Sequence, residues 1–111
     1  MKNKIALLVI LVVVAIAGAC KKKPQCDGSN PTYTSSIKSI IDGNCNSSGC
    51  HNSGSGNGVF TTYTGLKPYL DNGSFKRSVL EDQTMPEGSA KLSKDELNKL
   101  QCWSENGFPE N

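Results

Sequence analysis

Cys45-Asn46-Ser47-Ser48-Gly49-Cys50-His51 is the stretch on which the reading of this chain turns. Four residues separate two thiols, and an imidazole directly follows the second. A cysteine pair with an adjacent histidine is the pattern of covalent haem attachment, whose common form is C-x-x-C-H. In that chemistry each thiol adds to a haem vinyl group and the histidine supplies the proximal iron ligand. Here Cys45 and Cys50 are the thioether candidates and His51 the axial ligand, in a wider C-x4-C-H variant. A zinc or disulfide site is the competing reading. It takes Cys45, Cys50 and Cys102 as ligands with His51 as the fourth, although adjacent Cys50 and His51 sit awkwardly for one tetrahedral ion.

Outward from this stretch, the N-terminus reads as a targeting segment. Lys2 and Lys4 form a short positive region, and Ile5 to Ala19 is a run of 15 apolar or small residues. That is short of the roughly 20 residues of a membrane-spanning helix and fits the apolar region of a leader. It ends in Ala17-Gly18-Ala19-Cys20, which resembles the lipobox of bacterial lipoproteins. The resemblance implies a leader over residues 1–19 and a lipidated Cys20, with residues 20–32 as anchor and tether. It places the protein in the cell envelope, on the inner or outer membrane, facing the periplasm or the cell surface. An ordinary cleaved leader beside an unrelated cysteine is the alternative.

Without the leader the charge balance changes. Removing residues 1–19 leaves 10 basic and 10 acidic side chains, and from Asp27 onward there are 7 and 10, a formal −3. Lys21, Lys22 and Lys23 lie beside the anchor, where they suit lipid headgroups or a solvated tether. Nothing in this balance points to nucleic acid.

Five cysteines is an odd number in an exported chain, and each needs a role. With Cys20 lipidated and Cys45 and Cys50 on haem, Cys26 and Cys102 remain as a pair. An oxidising compartment allows them to bond; two free thiols are the alternative. The domain needs such help. After Cys26 the chain has only 14 Leu, Ile, Val and Phe residues. A small domain this poor in aliphatics cannot close a core without a staple, and a large apolar cofactor would supply the missing interior.

The local patterns are helical. Ile37, Ile40 and Ile41 recur at helical spacing, which predicts a first helix over about Ser35 to Asp42, stopped by Gly43. Asn52 to Gly58 reads as a flexible connector without apolar content. Thr64 to Leu70 and Ser74 to Leu80 read as two short helices separated by an Asp71-Asn72-Gly73 turn. Glu81 to Ala90 is irregular and carries Met85-Pro86. Ser93 and Glu96 form a capping box with Leu92 and Leu97 as its hydrophobic staple. Leu97, Leu100 and Trp103 continue that apolar stripe to Asn106-Gly107. The expected class is all-α, with three to four short helices, and no strand pattern exceeds Gly58 to Tyr63.

A haem iron held by one histidine needs a second axial group or an open site. His51 is the single histidine, and Met85 is the only methionine besides Met1. Met85 is therefore the available sixth ligand; a thioether favours ferrous iron and a raised reduction potential. Pro86 biases Met85 toward an extended backbone. A core-filling role is the ordinary alternative for a methionine.

In order and spacing, residues 33–108 resemble class I-type monohaem cytochromes c, especially small cytochrome c domains of bacterial (Bacteroidetes-type) lipoproteins. The shared order is an N-terminal helix, the cysteine pair with histidine, a loop, a Met-Pro pair and a C-terminal helix. The resemblance implies a cytochrome c-like haem domain over residues 33–111, with three to four short helices wrapped around one covalent haem c. It implies iron ligation by His51 and Met85 and haem packing by Trp103, which the residue pattern alone leaves as core. The implied role is one-electron transfer without catalysis, between redox partner proteins of a respiratory or exported electron-transfer chain. A haem sensor or peroxidase-like module with an open sixth site, and a zinc- or disulfide-stabilised binding lipoprotein, are the alternatives.

Overall fold

The computed structural model describes residues 21–88 and 91–111; the expected leader and Cys20, the expected lipidation site, lie outside the described residues. Four helices and no strand are present among the described residues, so the domain is all-α. Helix α1 starts as a π-helical turn, Tyr33–Ile37, and continues as the α-helix Lys38–Asn44. Helix α2 spans Tyr63–Asp71, α3 is a π-helical segment over Lys76–Glu81, and α4 spans Lys94–Glu105.

Three of the helix starts follow from side-chain caps. Thr32 accepts from the Ser35 backbone N–H, and the Ser35 hydroxyl accepts from the Thr32 N–H at 3.0 Å. This reciprocal box uses Ser35 where Glu or Gln is usual, so α1 begins at Tyr33, two residues before the start that apolar spacing predicts. Gly43 does not stop the helix. It stays helical, and the Cys45 N–H still reaches the Ile41 carbonyl at 2.8 Å. Thr62 caps α2 by accepting from Gly65 N–H at 3.1 Å. At α4 both halves of the Ser93/Glu96 box form, at 3.2 and 2.8 Å. Glu96 also accepts from Asn44 Nδ2 at 3.1 Å, which ties the end of α1 to the start of α4.

The core lies where the four helices meet. Ile37, Ile41, Leu66, Leu80, Leu100 and Trp103 are its most deeply buried apolar side chains. The Trp103 ring meets Phe108 edge-on at 4.9 Å and Phe75 at 6.1 Å, and its Nε1–H donates to the Pro109 carbonyl at 2.9 Å. The last residues return along α1, with Tyr33 N–H on Pro109 O at 2.9 Å and Thr34 N–H on Glu110 O at 3.0 Å.

Residues 21–32 are not a free tether. Cys26 and Cys102 are disulfide-bonded, with Cα atoms 4.5 Å apart. Upstream, Gln25 N–H donates to Asn98 Oδ1 on α4 at 2.9 Å, and downstream Pro31 is buried. The segment is bound because the disulfide fixes its middle, which lowers the entropy cost of every neighbouring contact.

Two outcomes follow. The bond closes a 76-residue separation, so by the chain-entropy relation the paired variant Cys26→Ser/Cys102→Ser loses about 4 kcal/mol in denaturant unfolding; a loss below about 1 kcal/mol would contradict this. The second concerns acid. The Ser93 N–H bond lowers the Glu96 pKa from its ordinary 4.5, against a smaller opposing effect of burial, with help from Asn44. A carboxyl depressed by folding stabilises fully above its unfolded pKa and loses that contribution as pH falls through the folded value. Glu96→Gln is therefore expected to flatten the acid limb of a Tm-versus-pH curve below about pH 5, and an unchanged slope would rule out Glu96 as its source.

Candidate functional site

A cavity of about 650 Å³ opens between the helices, and Cys45, Cys50, His51 and Met85 all line it. Its walls are apolar: Ile40 and Ile41 from α1, Phe60, Phe75 and Val79, and Leu92 and Leu100 from the α4 side. The volume lies within the range of cofactor-sized pockets, about 300–1,000 Å³. Among the described residues, Glu87 is the one acidic or basic side chain along it, His51 aside.

The wide cysteine spacing is accommodated by a turn. The Cys50 N–H donates to Ser47 O at 2.9 Å, and the His51 N–H donates back to Cys45 O at 3.0 Å. Gly49, at φ +79°, supplies the left-handed backbone this turn needs. The four intervening residues thus loop outward while Cys45 and His51 stay joined by a backbone hydrogen bond. Asn46 fastens the turn by donating to Asp42 Oδ1 at 2.8 Å and to Phe60 O at 3.3 Å. Ser47, Ser48, Gly49 and Cys50 face solvent, whereas Cys45 packs against the core. Burial, reinforced by the nearby Cys50 thiol, pushes the Cys45 pKa up to about 11, so it is a neutral thiol near pH 7.

His51 is held on both sides. Its Nδ1 lies 2.9 Å from the Asn57 carbonyl. A carbonyl only accepts, so Nδ1 carries the proton and Nε2 keeps its lone pair for a metal. The ring stacks on Phe60 at 3.9 Å with an interplanar angle of 1°. Phe60 N–H also donates to His51 O at 2.8 Å, and Tyr69 meets the Phe60 ring edge-on at 5.0 Å. Gly58 is required where Tyr69 approaches. A Cβ there would stand 2.2 Å from the Tyr69 hydroxyl, and its φ is +89°.

Asn57 is the residue that the sequence pattern misses. Residues 52–58 read as a connector, yet Asn57 Nδ2 donates to Gly49 O at 3.1 Å and to Cys50 O at 3.4 Å. One residue therefore clamps the Ser47–Cys50 turn with its side chain and orients His51 with its carbonyl. An asparagine in a Gly/Ser run is an ordinary loop residue, so the sequence holds no signal for this role.

Met85 follows α3, where its N–H and that of Thr84 both donate to Ser78 O, at 3.1 and 2.9 Å. It is partly buried against the core. Trp103, expected against haem, does not line the cavity. Its ring is fully buried and its N–H is committed to Pro109, so Phe75 stands between it and the open space. The zinc quartet does not assemble either. Cys102 is disulfide-bonded, and among the described residues the one group of three potential ligands is Cys26, Asp27 and Cys102.

No protein family, curated protein or solved structure matches this chain.

Asn57→Asp keeps the side-chain size and removes both donated bonds. At about 1 kcal/mol per bond, the turn is expected to open roughly tenfold or more often, read as faster exchange of the His51 and Phe60 backbone amides by NMR. Unchanged exchange at both would show that the clamp contributes nothing.

Proposed function

We propose that this protein is a membrane-anchored electron carrier of the cell envelope, with one covalent c-type haem in the large cavity. The observation that supports this best is the convergence of Cys45, Cys50, His51 and Met85, 40 residues apart at the extremes, on one apolar cavity. Cys45 and Cys50 would hold the group by thioether bonds, and His51 Nε2 and the Met85 sulfur would bind its iron. Bound haem supplies a one-electron ferric/ferrous couple.

The chain's own residues set the conditions for that couple. The Asn57 carbonyl fixes the His51 tautomer and increases the donor strength of Nε2. The Met85 thioether is a soft ligand that stabilises ferrous iron. Apolar walls from α1, α3 and the α4 side exclude water, which also favours the state of lower charge. With His51 and Met85 both holding the iron, the role would be electron transfer rather than catalysis. The solvent-exposed Ser47–Cys50 turn is the route for exchange with redox partner proteins of a respiratory or exported chain. Lipid on Cys20 would keep the carrier at the membrane, and the Cys26–Cys102 bond suits an oxidising compartment.

The test is the visible spectrum of protein matured with cytochrome c assembly factors. Haem is expected to remain on the denatured chain, and the ferric protein to show the weak red-end band of sulfur ligation. Met85→Ala is expected to lose that band and to bind carbon monoxide readily when reduced, while keeping covalent haem. A wild type without the band, open to carbon monoxide, would shift the function to a sensor or peroxidase-like module. Colourless protein after proper maturation would overturn haem binding altogether.

A further inference from the structure

We infer that the edge formed by Lys21 and the Asp82–Met85 segment lies against the lipid surface, with the Ser47–Cys50 turn left in water. This rests on the anchoring part of the proposed function. A free tether over residues 20–32 would let the domain wander about 20 Å from its anchor, as a flexible chain of that length does. The structure leaves no such slack. Lys21 Nζ donates to the carbonyls of Asp82 at 3.2 Å and Gln83 at 3.3 Å. Gln83 Nε2 answers with a bond to Lys22 O at 3.1 Å. Gln25 is held by Asn98, and the disulfide follows at Cys26.

The apolar run Ile5–Ala19 and Cys20 directly precede Lys21. Whichever of them enters the membrane, attachment begins one residue, about 3.8 Å along the chain, from a side chain fastened to the Met85 segment. Lys21 also lines a small second cavity with Met85 and Gln83; Val79, Met85 and Leu92 line both cavities, whereas Lys21 and the Ser47–Cys50 turn share neither.

Charge does not set this orientation. Lys21, Lys22, Lys23 and Lys91 are exposed on this part of the chain, but so are Glu81, Asp82 and Glu87. The near-balance gives little net attraction to anionic headgroups. The short link holds the edge down, so the orientation persists on uncharged lipid.

The experiment uses the full, matured, lipidated protein on phosphatidylcholine vesicles, with a nitroxide on Thr84→Cys or Ser48→Cys. The other cysteines are then occupied as thioethers, disulfide or lipid anchor. Accessibility to oxygen, enriched in lipid, is compared with that to an aqueous nickel complex. The oxygen-to-nickel ratio is expected to be several-fold higher at position 84 than at 48 on vesicles, and similar at both in detergent-free solution of a form lacking residues 1–20. Adding Lys21→Ala and Gln83→Ala frees about five residues of link and is expected to bring the ratio at 84 down toward that at 48 while the protein stays bound. Equal ratios on bound wild type would overturn the orientation but leave the anchor intact. An unchanged ratio in the Lys21/Gln83 variant would overturn the link as its cause. Protein that fails to sediment with vesicles would remove the anchor and the orientation together.

Discussion

The bond between Cys26 and Cys102 joins the segment ahead of the first helix to the C-terminal half of the last one, and much of the domain is organised around that fixed point. Helix α4 carries Cys102 and Trp103 side by side, so the residue that closes the covalent loop neighbours the largest buried side chain. On one side of the bond, Gln25, Lys22 and Lys21 lie against α4 and the Gln83 loop. On the other, Pro31 is buried and Thr32 caps α1. A chain with so few aliphatic side chains gains little from burial alone. Fixing its ends covalently lowers the entropy that the remaining contacts must offset.

The second organising feature is a division of labour around His51. Its backbone belongs to the cysteine turn, through Cys45, and to the chain leading into α2, through Phe60. Its ring belongs to the following loop through Asn57 and to the core through Phe60 stacking. The imidazole is thus oriented before any ligand arrives, with one nitrogen committed and the other available. Such outer partners commonly decide how a metal-bound histidine behaves. The wide cysteine spacing costs little in this arrangement, because the intervening Ser47, Ser48 and Gly49 project into solvent and Asn57 holds the Gly49 and Cys50 carbonyls.

The core and the cavity are built from the same few residues. Ile40, Ile41, Phe75, Val79 and Leu100 are buried in the folded chain and also form cavity walls. Trp103 stands one layer back, and its contact with Phe75 links the aromatic core to the wall. A change at Phe75 would therefore be felt both in packing and in the cavity, whereas Trp103 acts on the cavity only through its neighbours.

The patterns that depend on a few consecutive residues were legible in sequence. Apolar spacing located α1 and α2 and the segment of α3, and the Ser93/Glu96 box with its flanking leucines located α4. These succeed because helix periodicity and capping are short-range physics. Cysteine, histidine and methionine chemistry likewise singled out Cys45, Cys50, His51 and Met85, and all four line one cavity. What the tertiary structure decided depends on residues far apart in the chain. The Ser35 partner of the first cap, the helical Gly43 and the docking of Lys21 on the Gln83 loop have no local signature. Asn57 is the clearest case, since an asparagine among glycines and serines acquires its role only when the turn folds back onto it. Local sequence specifies which chemistry and which helices are available. The three-dimensional closure specifies which carbonyl meets which donor, and so how the four candidate ligands come to share one cavity.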